Sequence, residues 1–437
     1  MKKQLAKFAL TAALTLATTL TLSCGNHTFE ELLGLDSSSS EQEDNHSSSS
    51  LKLSSSSLSS SSLWQSSNSI SSSSAVAKVS SSSLQQSGII VAPLTKTKWA
   101  QRSPYNDLFP LVNGERKLTD CGTTAWVQIM AFHKYPPRGK GESSVVGPTS
   151  SLFPSVSVPL TSLDVAYDWD NMLNEYTTAN PGTEQQRSAV AVLNYHLGLV
   201  RGLGGGWKSI MIDHFGYDKS FQILYREYYS DAEWEAIIRH QLDLGLPVYY
   251  YGHSENGVNH AFVVDGYDNA GKFHMNMGGA GIWDGWYSLN DIDVGSGIRF
   301  NYNNTILINI KPDKGSIGSN EIVLDSFTVS KTTVSQNDEV TVAVKTRTYG
   351  IFPGGQIGVA FVNNSGNIVE VIGTRDYSSM NPTSVRTLTI KFSVPDSVKA
   401  GQYNLRIVTK MNGETDWKII TRSLQNVPKS IPFTVTE

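Results

Sequence analysis

Positions repeat with helical spacing at Ala125, Trp126, Ile129, Met130 and His133, again through Gln185 to Leu199, and again through Glu233 to Leu244. This period predicts three helices. Downstream the pattern changes to short runs at 247–251, 260–267, 272–277, 285–289 and 305–310, separated by glycine, asparagine and aspartate turns. Such runs read as strands. Helices first and an antiparallel sheet later predict an α+β domain. From about Pro312 only short alternating segments remain, at 323–329, 339–346, 356–362, 384–392, 403–409 and 417–422. Regular short strands with turn signals predict an all-β, immunoglobulin-like sandwich of about 110 residues.

The N-terminal pattern is different again. Residues 1–23 carry Lys2, Lys3 and Lys7 and then an apolar run from Phe8 to Leu22, too short and too weak to span a bilayer, as in a secretory signal peptide. Residues 24–92 are dominated by serine, with runs at 47–50 and 71–74. A segment with so little to bury cannot offset the entropy of ordering, so it reads as a disordered Ser-rich linker, a tether. The domain boundaries that follow are 1–23 signal peptide, 24–92 linker, 93–313 α+β domain and 320–437 sandwich. The stretch Leu20-Thr21-Leu22-Ser23-Cys24 resembles a bacterial lipobox. That resemblance implies an exported protein anchored by lipid on Cys24 at the outer membrane or cell surface; without lipidation it would be secreted.

Charge narrows the partners. A formal net charge of -4 argues against nucleic acid, which selects strongly basic surfaces. Only two cysteines occur. With Cys24 consumed by lipid, Cys121 has no disulfide partner and is expected to be a free thiol, which in an exported domain calls for a chemical role. Cys121 opens the first predicted helix, after Thr119 and Asp120, where the helix N-terminus favours a thiolate. Among nine histidines, His133 lies about three turns along the same helix and cannot fold back, while His27 and His46 lie in the tail. His260, opening a strand, is the best base candidate. Asn276, on the next strand, could supply an amide oxygen to orient the imidazole. Taken singly, each has an ordinary structural reading: a core cysteine, a satisfied strand histidine, a turn asparagine. The spacing of His253, His260 and His274 fits no zinc ligand set, and the run Gly202 to Gly206 lacks the Gly-Lys-Ser ending of a phosphate loop. No metal and no cofactor are expected.

The segment Cys121-Gly-Thr-Thr-Ala-Trp-Val-Gln-Ile-Met-Ala-Phe-His-Lys-Tyr-Pro136 resembles the nucleophile helix of streptopain-like cysteine peptidases, which are papain-like in fold. His260-Ala-Phe-Val-Val-Asp-Gly-Tyr267 is similar to their histidine strand, and Phe273-His274-Met275-Asn276 to the asparagine strand that follows. Trp99-Ala-Gln101-Arg-Ser-Pro-Tyr-Asn106 is similar to their entry segment, and like sequences recur at Tyr167 to Met172, Phe215 to Asp218 and Leu246 to Val248. The resemblance covers roughly Trp99 to Pro312. It implies a papain-like cysteine endopeptidase in which Cys121 is the nucleophile, His260 the general base and acid, and Asn276 the ring orienter. Gln101 and the backbone N–H of Cys121 would hold the oxyanion. Protein or peptide substrates would be cleaved through a thioester.

Three departures qualify what the resemblance implies. Asp120 stands where the family usually has glycine; a carboxylate there would cap the helix, the favoured reading, or oppose the thiolate by like charge. Met277-Gly278-Gly279 replaces a tryptophan-glycine repeat. The tether offers no sequence like the family's inhibitory pro-domain, so the enzyme would be exported active, be restrained by a separate inhibitor, or cleave little. These departures also define the alternative, a catalytically decayed surface binding or adhesion protein using its sandwich. A transglutaminase-like acyl transfer stands third.

Overall fold

The computed structural model of the chain describes residues 88–145, 157–202 and 206–437. The expected signal peptide, the lipobox with Cys24, the serine runs and positions 203–205 of the glycine run lie outside the described residues.

Helix α1 spans Cys121–His133. Asp120 precedes it in an extended conformation and its side chain accepts the Thr123 N–H, satisfying one of the donors that a helix start leaves unpaired. The helix stops where Lys134 adopts a left-handed conformation. Residues 121–130 are all buried, so this is a core helix covered on every side rather than a surface helix with one apolar stripe. Helix α2 spans Glu184–Gly202 and α3 spans Asp231–Asp243, the latter opened by a capping box between Ser230 and Glu233.

The main sheet contains, in chain order, β1 (Ile89–Val91), β2 (Gln222–Tyr225), β3 (Val248–His253), β4 (Asn259–Asp268), β5 (Phe273–Asn276), β6 (Gly285–Tyr287) and β7 (Tyr302–Ile308). Its order is β6-β5-β4-β3-β7-β2, with β1 added beside the far end of β4. Neighbouring strands all run antiparallel. Alternation along the central strands divides the core. Tyr249, Tyr251, Ala261 and Val263 pack with α1 and α2, whereas Tyr250, Phe262 and Val264 pack with α3. Both faces are covered, which is why β3 and β4 read as nearly continuous apolar runs.

Beyond residue 320 two sheets enclose a common core. One joins Ile322–Val329, Glu339–Thr348 and Val385–Ser393; the other is built on Gly355–Val362, Ile368–Tyr377, Gly401–Met411 and Ile431–Thr436. Leu324, Val342 and Ile390 of the first meet Val359, Leu405 and Phe433 of the second. The strand Ile368–Tyr377 escaped the sequence pattern because it is an edge strand, half-exposed and broken by Gly373 at a positive φ. Strand β2 escaped it as well, since its four residues sit between a turn and a 3-10 turn.

The two parts share a core. Val323 and Tyr349 belong to the cluster that contains Leu224, Tyr228 and Trp234. The Ile223 N–H donates to the Tyr349 carbonyl at 2.8 Å, and the Tyr228 hydroxyl donates to Asp325 at 2.7 Å, which also pairs with Arg347 at 3.0 Å.

Candidate active site

Register and capping bring the candidate residues together. Cys121 is the first residue of α1, 2% exposed, and its Sγ accepts the Ala261 N–H at 3.3 Å. Ala261 follows His260, so this contact sets the head of β4 against the head of α1. His260 is 2% exposed, and its Nε2 lies 2.9 Å from the Met277 carbonyl oxygen. A carbonyl only accepts, so Nε2 carries the proton and Nδ1 is the basic nitrogen of the neutral ring. Burial pushes the His260 imidazole down to about 4, with the Met277 carbonyl working against that shift. The ring stacks on Phe262 and packs beside Phe300.

Asn276 does not hold the ring. Its Oδ1 accepts from Gln128 Nε2 at 2.9 Å and from the Gly278 N–H at 3.1 Å, while its Nδ2 donates to the Thr97 carbonyl at 2.6 Å and to the Thr95 hydroxyl at 3.3 Å. The expectation of an Asn276-to-His260 contact is therefore corrected, and strand parity gives the reason. Asn276 pairs with Val263, three residues from His260, so its side chain falls on the α1 face, whereas the His260 ring lies with Phe262 on the other. The chain then turns through Gly278, at a φ of 72°, and presents the Met277 carbonyl to the ring instead. The Met277 side chain is fully buried, and its N–H donates to Asp284 at 2.7 Å.

Gln128 was missed by sequence reasoning. It is fully buried on α1, and its Oε1 accepts from the Thr97 hydroxyl at 3.0 Å and the Trp99 N–H at 3.2 Å. The signal was present: a glutamine inside a helix whose neighbours are all apolar needs partners. Gln101 follows this tethered segment; it is 4% exposed, and its carbonyl accepts the Thr119 N–H at 3.2 Å, two residues before Cys121.

Two further expectations meet the structure here. Asp120 caps α1, as the favoured reading had it, and its second oxygen pairs with Arg201 of α2 at 2.9 Å, a partner not anticipated. Cys121 is disulfide-bonded rather than a free thiol. The counting argument assigned Cys24 to lipid, and that residue lies outside the described residues. Attack by Cys121 on any electrophile thus requires prior reduction. His274 faces away from this centre, onto Asp265 at 2.6 Å, and His133 meets the Ile310 carbonyl at 2.9 Å. A cavity of about 660 Å³ opens where Tyr251 and His253 of β3 meet Tyr302 of β7 and Arg347 and Gln425 of the C-terminal part.

Burial also makes the domain sensitive to acid. His196, like His260, is pushed down to about 4 by burial. A histidine depressed in the folded state contributes stability that is present above its unfolded value near 6.5 and is lost as pH falls from there toward 4. Each ring is worth on the order of 3 kcal/mol across that window. The melting temperature is expected to drop steeply between about pH 6.5 and 4.5, and less so in His196→Asn. Equal melting temperatures at both ends would sink this reading.

Comparison with known proteins identifies the domain that carries this arrangement as a papain-fold cysteine peptidase of streptopain-like type. Residues 99–287 match the Peptidase C10 family, and the domain belongs to it. The thiol protease/hemagglutinin PrtT of Porphyromonas gingivalis is 25% identical over 366 residues, 77% of this chain and 40% of its own length. Streptopain of Streptococcus pyogenes is 28% identical over 246 residues, 48% of this chain and 60% of its own. The chain thus spans about half the length of these relatives. Among solved structures, active wild-type interpain A cysteine protease of Prevotella intermedia is 30% identical, covering 50% of this chain and 93% of that one, with a TM-score of 0.45.

Proposed function

We propose that the chain hydrolyses peptide bonds in protein substrates through a thioester on Cys121. The observation that carries this is the junction of Cys121 Sγ with the head of β4, beside a His260 whose Nδ1 is the basic nitrogen. In the reduced protein the Cys121 thiol gives its proton to His260 Nδ1, and the thiolate adds to the scissile carbonyl carbon. The oxyanion is received by the Cys121 N–H at the start of α1 and by the Gln101 amide. The C–N bond then breaks as the imidazolium protonates the leaving amine, and water, activated by the same ring, cleaves the thioester. Export and spacing by the Ser-rich tether complete this reading, with an immunoglobulin-like C-terminal sandwich.

Asn276 acts as a strut in this scheme. Asn276→Ala leaves Gln128 Nε2, the Gly278 N–H and the Thr97 carbonyl without their partner, which at about 1 to 3 kcal/mol per buried group costs several kcal/mol of stability. The expected loss in kcat/KM is below about 100-fold, whereas loss of a ring-orienting group reaches about 10⁴-fold. A full 10⁴-fold loss at unchanged stability would return the ring-orienting role to Asn276.

The test is incubation of the reduced full chain with unfolded casein and with an epoxysuccinyl inhibitor, read by gel and by mass spectrometry. Casein cleavage together with stoichiometric adduct on Cys121 is the expected result. Folded protein that neither cleaves nor labels between about pH 5 and 8 overturns the proposal.

A further inference from the structure

Asp120 and Arg201 form a buried ion pair immediately before the nucleophile. Their side chains are 16% and 7% exposed, and Arg201 Nη2 lies 2.9 Å from Asp120 Oδ2 while Oδ1 stays committed to the Thr123 N–H at 2.5 Å. The guanidinium also lies against the backbone of residue 122. A Cβ there would stand 2.3 Å from Arg201 Nη2 and 3.1 Å from the Tyr249 hydroxyl oxygen, so the group needs glycine after the cysteine. Three positions from two helices therefore work as one unit: the carboxylate at 120, the missing side chain at 122 and the cation at 201.

A capping carboxylate alone is a poor neighbour for a cysteine that must ionise, because its charge opposes the thiolate at short range in a water-poor site. We propose that Arg201 is a positioning residue for catalysis, cancelling the Asp120 charge so that the cap holds the helix start without suppressing the Cys121 thiolate. This explains how the chain carries aspartate where the resemblance leads one to expect glycine. The other titratable groups around the thiol are Tyr249 and Tyr251 on β3, both held protonated chiefly by burial, and His260 on β4. Asp284 lies behind them, bonded to the Met277 N–H. None of these neutralises Asp120. Burial works against the charge on Arg201, but Asp120 beside it holds the guanidinium firmly protonated.

The inference rests on Cys121 as nucleophile, yet its test does not require peptide hydrolysis. In the reduced full chain, the pH dependence of Cys121 carbamidomethylation by iodoacetamide, followed on the Cys121 peptide, reports thiol ionisation directly. Asn caps helices as well as Asp, so Asp120→Asn keeps the fold and leaves the cation unopposed. Its labelling midpoint is expected to fall by about one pH unit, a tenfold gain in thiolate on the acid side. Arg201→Met is expected to raise the midpoint by a similar amount, and the double variant to return within about twofold of the parent. An Asp120→Asn profile that superimposes on the parent overturns the proposal, even if Arg201→Met fails to fold. A merely structural pair would change the melting temperature in these variants and leave the midpoint in place. Labelling that follows the predicted order in a protein that cleaves no peptide would uphold the charge relation and reject peptidase activity alone.

Discussion

Cys121→Ser is expected to lower turnover on unfolded casein by about 10⁶-fold, the size of loss seen when the nucleophile of a hydrolase triad is removed. The argument runs through proton affinity. A thiol near 8.5 needs only modest help from a helix N-terminus and a nearby imidazole to ionise, whereas a hydroxyl depends on a strong base in the transition state. The His260 ring that suffices for a thiol leaves a serine hydroxyl, a far weaker acid, protonated and unreactive in the attacking step. The serine oxygen would sit in the same buried place, so the variant is expected to keep the melting temperature of the reduced parent and to lose only chemistry. Initial rates on casein, with circular dichroism as the folding control, check this. Residual activity within about 100-fold of the parent would mean that Cys121 is not the attacking group.

Ending the chain after residue 312 is expected to remove the folded peptidase domain as well as the C-terminal part. The shared cluster would lose Val323 and Tyr349, the latter stacked on Tyr229 and edge-on to Tyr228. Strand β2, at the edge of the main sheet, would lose the carbonyl of Tyr349. Tyr228 would lose Asp325 and Arg347, and Glu233 would lose Arg422. A milder version isolates one term. Tyr349→Ala, at a residue 1% exposed, is expected to cost about 3 to 5 kcal/mol, as large aromatic truncations in a core do, and to lower the melting temperature by about 10 °C. Calorimetry of the full chain and the variant checks it. A soluble 88–312 fragment melting with the full chain would show that the seam contributes nothing. The link to function is direct: β2 supports β7, β7 supports β3, and β3 holds β4 with His260.

The helices at 121–133, 184–202 and 231–243 and most of the strands were legible because each buries one or two regular faces, and burial leaves a period in the sequence. Cys121, His260 and Asn276 stood out as candidates because polar groups of defined chemistry headed or interrupted apolar runs, and Gln101 because its segment resembles the family's entry segment. The cap at Asp120 was legible too, since it joins Asp120 to the Thr123 N–H only three positions along the chain. Tertiary structure alone decided who meets whom. Whether the His260 ring finds the Asn276 amide or the Met277 carbonyl depends on strand parity and a turn at Gly278. The pairing of Arg201 with Asp120 joins residues 81 apart in the chain, and the seam between the α+β part and the C-terminal sheets joins residues farther apart still. Local sequence encodes period, caps and chemistry, whereas long-range pairing depends on register and packing, which no single segment carries.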